Sequence, residues 1–139
     1  MGKVIALDVG SKRTGIAITD ELQIIASPLD TIAAHELLPF LSDLVAKSTI
    51  DCFVFGDPRQ MDGSKSESWP VVEDVMARCK RRFPSIPHIL QDERLTSKMA
   101  LDAQITGGMK KNKRRDKGKL DVIAACLILQ SYLENKKWQ

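Results

Sequence analysis

Lys3-Val4-Ile5-Ala6-Leu7-Asp8-Val9-Gly10-Ser11-Lys12-Arg13-Thr14-Gly15-Ile16-Ala17-Ile18-Thr19 is the stretch that decides the fold. Its first seven residues read as a buried strand that carries a carboxylate near its end. An isolated ionised Asp there is costly unless hydrogen bonds, a cation or a metal offset it. Gly10 to Gly15 is a turn bracketed by glycines and set with small and basic residues, and Ile16–Thr19 is a second apolar strand. A strand ending in Asp, followed by such a hairpin, suits a place where phosphate and metal meet.

Three more strands follow. Ser27–Ile32 is the weakest, because Pro28 suits an edge strand better than a central one. Cys52–Phe55 is short, apolar and stopped by Gly56, and His88–Leu90 begins just after Pro87. Helices alternate with the later strands. Glu36–Lys47 places Leu37, Leu41, Leu44 and Val45 on one face. A second helix is predicted to start near Ser64, where Ser64-Lys65-Ser66-Glu67 has the form of a capping box. Its buried stripe is Val72, Val75, Met76, Cys79 and Phe83, and its basic last turn complements the helix dipole. A third helix is predicted over Ser97–Ile105. A last one, over Leu120–Asn135, is apolar almost all round and therefore central, with Gly118 as the turn leading into it. Strands separated by helices imply parallel pairing, while the first three form a meander. The expected architecture is α/β: a mixed five-stranded sheet, its first three strands antiparallel, with helices on both faces. At 139 residues the chain is expected to be one domain, 1–139.

Composition narrows the class. With 43% hydrophobic and 28% charged residues, nothing points to disorder or a fibrous protein. No apolar run is long enough to span a membrane, and the N-terminus lacks a signal-peptide layout. Cys52, Cys79 and Cys126 are scattered among apolar neighbours and read as small core residues of a cytoplasmic protein. His35 and His88 are lone residues without zinc-site spacing. The segment 110–119 holds seven bases and one acid, a local +6, so the remainder of a chain of net charge +3 carries −3. A polyanion is therefore expected to meet Lys110, Lys111, Lys113, Arg114, Arg115, Lys117 and Lys119.

Three acids stand where structure alone explains them poorly. Asp8 and Glu93 follow strands, and functional groups gather at the carboxyl ends of parallel strands. Asp121 opens the most hydrophobic helix. Each has a plainer reading: Asp121 at the positive end of its helix, Glu93 paired with Arg94 or capping a turn. Asp8 has no obvious cap nearby in sequence. Clustered carboxylates repel one another and a divalent cation relieves the repulsion; Mg²⁺ prefers such hard oxygen ligands. An acidic floor with a basic rim suits phosphodiester cleavage. Gly56–Ser64 runs from a strand end into a helix beside the same place, and there Arg59 and Gln60 are candidates for substrate contact.

Four blocks together carry a resemblance: Leu7-Asp8-Val9-Gly10-Ser11-Lys12-Arg13-Thr14-Gly15-Ile16-Ala17, Phe55-Gly56-Asp57-Pro58-Arg59-Gln60-Met61-Asp62-Gly63-Ser64, Asp92-Glu93-Arg94-Leu95-Thr96-Ser97, and Lys117-Gly118-Lys119-Leu120-Asp121 continuing to Leu133. In this order they resemble the YqgF family, whose members have an RNase H-like fold and are regarded as pre-16S rRNA processing nucleases or, alternatively, Holliday junction resolvases. The resemblance implies a Mg²⁺ or Mn²⁺ site from Asp8, Glu93 and Asp121, a cytoplasmic location and a role in ribosome biogenesis. Read as a nuclease, the chain is expected to contact nucleic acid through Lys12, Arg13, Arg59, Gln60, Arg94 and the basic segment, as a monomer or weak homodimer without membrane contact. The chain departs from the family at Asp57, where an apolar residue is usual, and at Gln60, where Asn is usual; both bear on substrate preference. A non-catalytic nucleic-acid-binding assembly factor is the reading from another class. The hairpin also resembles that of sugar kinase and actin-like ATPases, but those need two such lobes and this chain has one.

Overall fold

The computed structural model describes residues 2–58, 67–92 and 117–137, and in the last stretch the side chains of 122–135 only. Strands β1 (Lys3–Val9), β2 (Arg13–Thr19), β3 (Ala26–Ala33), β4 (Ile50–Asp57) and β5 (His88–Asp92) form one sheet in the order β3-β2-β1-β4-β5. The pairs β1–β2 and β2–β3 are antiparallel, while β1–β4 and β4–β5 are parallel. This is the expected mixed sheet. Helix α1 (Leu37–Lys47), preceded by a 3₁₀ turn over Ala34–Glu36, and helix α2 (Trp69–Arg82) connect the parallel strands. Helix α3 (Lys117–Lys137) follows.

Strand alternation divides the core in two. Ile5, Leu7, Ile16, Phe53 and Phe55 face α1 and α2, where Leu37, Leu41, Val72, Met76 and Cys79 are buried. Val4, Ala6, Ala17, Cys52 and Val54 face the other way, against Ala125, Ile128 and Leu129 of α3. Alone on its side among the described helices, α3 packs against all five strands, as its hydrophobicity predicts.

Several boundaries differ from the sequence reading. β2 begins at Arg13, so Gly15 lies within the strand opposite Asp8 and not in the turn. α2 begins at Trp69, not at Ser64. Pro70 explains this: it lacks an N–H and is tolerated only in a helix's first turn, where no partner is needed. α3 begins at Lys117, which makes Gly118 part of the helix. The helix expected over 97–105 lies outside the described residues. β3 is an edge strand, as Pro28 suggests, and it bulges at Leu29 between the Ile16↔Asp30 and Ala17↔Pro28 pairs. A bulge and a proline both discourage edge-to-edge pairing.

The amino end of β1 is held by side chains. Thr19 Oγ1 accepts the Val4 N–H at 2.8 Å. A second bulge leaves Asp51 out of the β1–β4 register, and its Oδ1 accepts the Gly2 N–H at 3.0 Å. Gln23, buried and at φ 58°, donates to Gly2 O and Asp51 Oδ2.

Candidate nucleic-acid-processing site

The carboxyl ends of β1, β4 and β5 meet at the opposite end of the sheet. Asp8 is half-buried there. Its position in β1 alternates with Val4 and Ala6, which sets it on the α3 face. Its cross-strand neighbour is Gly15, which has no side chain, so the position beside the carboxylate is not filled from β2. The sequence reading counted Gly15 as a turn residue and missed this role; its place opposite Asp8 follows only once the register is known.

The turn beyond Asp8 is tight. Gly10 N–H donates to Arg13 O at 2.9 Å, and Ala34 N–H donates to Lys12 O at 3.0 Å. A Cβ on Gly10 would stand 2.7 Å from Arg13 O. Glycine is needed here for close approach of backbone to backbone. Lys12 is exposed and Arg13 half-buried, which puts two cations on the loop that directly follows Asp8.

The register also pairs Asp57 with Asp92 at the ends of β4 and β5. Asp57 is buried and Asp92 exposed. By alternation with Phe53, Phe55 and His88 they lie on the α1/α2 face, across the sheet from Asp8. Asp92 was not singled out in the sequence; only the parallel register brings it beside Asp57.

Of the three acids read as metal ligands, the structure therefore describes the side chain of Asp8 alone. Glu93 is the residue after β5 and lies outside the described residues. Asp121 falls within α3 with its side chain outside them, as do Lys117 and Lys119. Arg59, Gln60, Arg94, Lys110, Lys111, Lys113, Arg114 and Arg115 also lie outside. Among the described residues no group of three or more His, Cys, Asp or Glu forms a metal cluster.

The cysteines behave as core residues. Cys79 is fully buried, and desolvation pushes its thiol up to about 11. Burial also raises the pKa of Cys126. Neither is activated as a nucleophile. His35 is exposed beside Glu36. His88 sits against the rings of Phe53 and Phe55, at centroid distances of 5.3 and 5.9 Å. No helix among the described residues is long and apolar enough to cross a membrane.

Comparison with known proteins matches residues 2–135 to the family described as "RuvX: Holliday junction resolvase". A protein of Parabacteroides distasonis named "Putative pre-16S rRNA nuclease" is 48% identical over 139 residues, covering 100% of this chain and 99% of its own. One of Flavobacterium johnsoniae with the same name is 44% identical over 138 residues, covering 99% and 100%. Among solved structures, the fowlpox virus Holliday junction resolvase aligns with a TM-score of 0.57 at 17% identity, over 96% of this chain and 99% of that one. T. thermophilus RuvC in complex with a Holliday junction substrate aligns at 0.57 and 12% identity, over 97% and 96%. At these identities the structural likeness shows a shared fold.

Proposed function

We propose, from the premise that this chain belongs to the RuvX family, the YqgF family of the sequence reading, that it is a nuclease hydrolysing phosphodiester bonds in the cytoplasm, with precursor 16S rRNA as substrate. The observation that carries the reading is the placement of Asp8: a half-buried carboxylate at a parallel strand end, faced by a glycine and followed by a hydrogen-bonded basic turn. Full-length relatives that carry the rRNA nuclease name support the substrate.

Asp8, Glu93 and Asp121 are the residues that would hold a divalent cation. The donor set fits Mg²⁺ or Mn²⁺, since all three offer hard carboxylate oxygens. Helical spacing puts position 121 one turn before Ala124 and Ala125, and that part of α3 packs on the sheet face that carries Asp8. When bound, the cation supplies neutralisation of phosphate charge and activation of water. The chain's own contribution is positional. Asp8 is fixed by β1, while Lys12 and Arg13 hold a neighbouring phosphate. Arg59, Gln60, Arg94 and the basic segment ending at Lys119 extend that contact along the strand.

The test is cleavage of a precursor 16S rRNA fragment with Mg²⁺ by the full chain and by Asp8→Asn. The variant is expected to bind the RNA and leave it intact; equal cleavage by both proteins would remove Asp8 from the mechanism. A second reading, cleavage of four-way DNA junctions, is favoured by the description of the matching family. Paired cuts at a junction need two active sites, so that reading requires a dimer, and the same assay on a DNA junction separates the two.

A further inference from the structure

On the other side of the Gly10–Arg13 turn from Asp8, between α1 and α2, lies a cavity of about 230 Å³. Gly10 and Ser11 form part of its lining, so it shares the turn that follows Asp8. Leu38, Val71 and Val75 make apolar walls, and Asp74 and Arg78 stand at its rim, each well exposed. The volume is below the range of about 300–1,000 Å³ of drug-sized pockets, which limits an occupant to a group the size of one nucleobase. Apolar walls suit the faces of such a ring, since an unstacked base is held between apolar or aromatic side chains and read on its edge.

The rim supplies the edge chemistry. Arg78 Nε meets Asp74 Oδ2 at 3.1 Å in an i,i+4 pair, which an exposed setting holds only weakly. The carboxylate has a second oxygen besides, and the guanidinium two Nη amino groups. An acceptor pair next to a donor fork matches the edge of guanine: N1–H and the N2 amino group donate to the carboxylate, and O6 accepts from the guanidinium. Adenine offers one donor group on that edge and leaves a carboxylate oxygen unmatched. A phosphate is disfavoured by the charge of Asp74.

We propose that this cavity takes one unpaired guanine base of the bound nucleic acid, turned out of its stack beside the Gly10–Arg13 turn. The inference rests on the nucleic-acid reading above and deepens it. Gly10 lies two residues past Asp8 and one beyond the end of β1, so a chain that passes Asp8 and rounds this end of the sheet brings a flanking nucleotide to the turn. The subsite would then select where along the chain cleavage falls.

The test is binding of a fluorescein-labelled oligouridylate with one central guanosine, followed by anisotropy without divalent metal so that no cleavage intervenes. The comparisons are the same oligomer with inosine, adenosine, uridine or an abasic site at that position. The full chain is expected to bind the guanosine oligomer about tenfold tighter than the uridine one, with inosine between them. Asp74→Asn is expected to remove the preference while leaving affinity for the uridine oligomer in place. Val75→Phe, which fills the cavity, should do the same. Asp74 is exposed, so its variant remains informative where the Val75 variant fails to fold. Binding indifferent to the central base in the unaltered chain overturns this inference and leaves the proposed nuclease standing. Binding of none of the oligomers overturns both.

Discussion

Gly10→Ala tests whether the turn behind Asp8 is as stiff as its hydrogen bonds imply. The added Cβ would lie 2.7 Å from the carbonyl oxygen of Arg13, so that oxygen has to retreat by about half an ångström, in packing that leaves little slack. Retreat stretches the 2.9 Å bond from Gly10 N–H to Arg13 O. A net backbone hydrogen bond contributes about 0.5–1.5 kcal/mol, and bending the local angles adds about 1 kcal/mol. Against this, alanine restricts the unfolded chain and returns about 0.4–1 kcal/mol, because the backbone at position 10 is not left-handed. The clash wins, by about 0.5–2 kcal/mol. Equilibrium urea unfolding should show the midpoint fall with an unchanged slope, and Tm should drop by about 2–8 °C. Ser11→Ala, at the exposed neighbouring position, is the control and should stay within about 0.5 kcal/mol. Nucleic-acid affinity should weaken in Gly10→Ala, because Lys12 and Arg13 ride on the displaced turn. A variant as stable as the parent, with unchanged affinity, would refute the view that a close backbone contact sets the position of those cations.

Thr19→Val should destabilise the chain by about 1–3 kcal/mol in the same urea assay, because it leaves the fully buried Val4 N–H without its acceptor; Thr19→Ser should recover most of the loss. His88 has its pKa lowered from 6.5, chiefly by burial and further by Lys80 nearby. The unfolded chain therefore binds the proton more readily, and His88's contribution is complete above pH 6.5 and declines as pH falls below it. His88→Gln should flatten that part of the stability–pH curve. Tyr132 is pushed up to about 12 from 10, mainly by burial and then by its contact with Cys52. Its contribution is complete below pH 10 and is lost as pH rises towards 12; Tyr132→Phe should remove that alkaline loss, read by circular dichroism. Asp20 has its pKa lowered by accepting the N–H groups of Ile25 and Ile24. Protection of those two amides, taken relative to their intrinsic exchange rates, should fall as pH falls through the lowered pKa, and Asp20→Ala, which removes the acceptor, should show little protection throughout.

The fold was legible because its signals are local. An apolar run marked β4, although the strand runs through Gly56, where it was expected to stop, to Asp57; a run opened after Pro87 marked β5, and Pro28 marked an edge. The helix start at Ser64 failed because a capping-box pattern says only that a helix can begin, whereas Pro70 says where an N–H is dispensable. Long-range register left no such local trace. That Gly15 faces Asp8 depends on how β1 and β2 slide along one another, and the pairing of Asp57 with Asp92 depends on two strands separated by a helix.

The same register explains why one end of this sheet is suited to chemistry and the other to stability. Antiparallel β2 returns from Asp8 to the amino end of β1, where Thr19, Gln23 and Asp51 tie the start of the chain with side-chain hydrogen bonds. Those bonds fix β1 from behind, while β4 pairs with it over Lys3–Leu7 and β2 over Ile5–Val9. Asp8 is therefore carried by a strand anchored at its far end and on both sides. A carboxylate so mounted keeps one position relative to the turn that carries Lys12 and Arg13, which is the physical basis for the proposal that this strand end is a site.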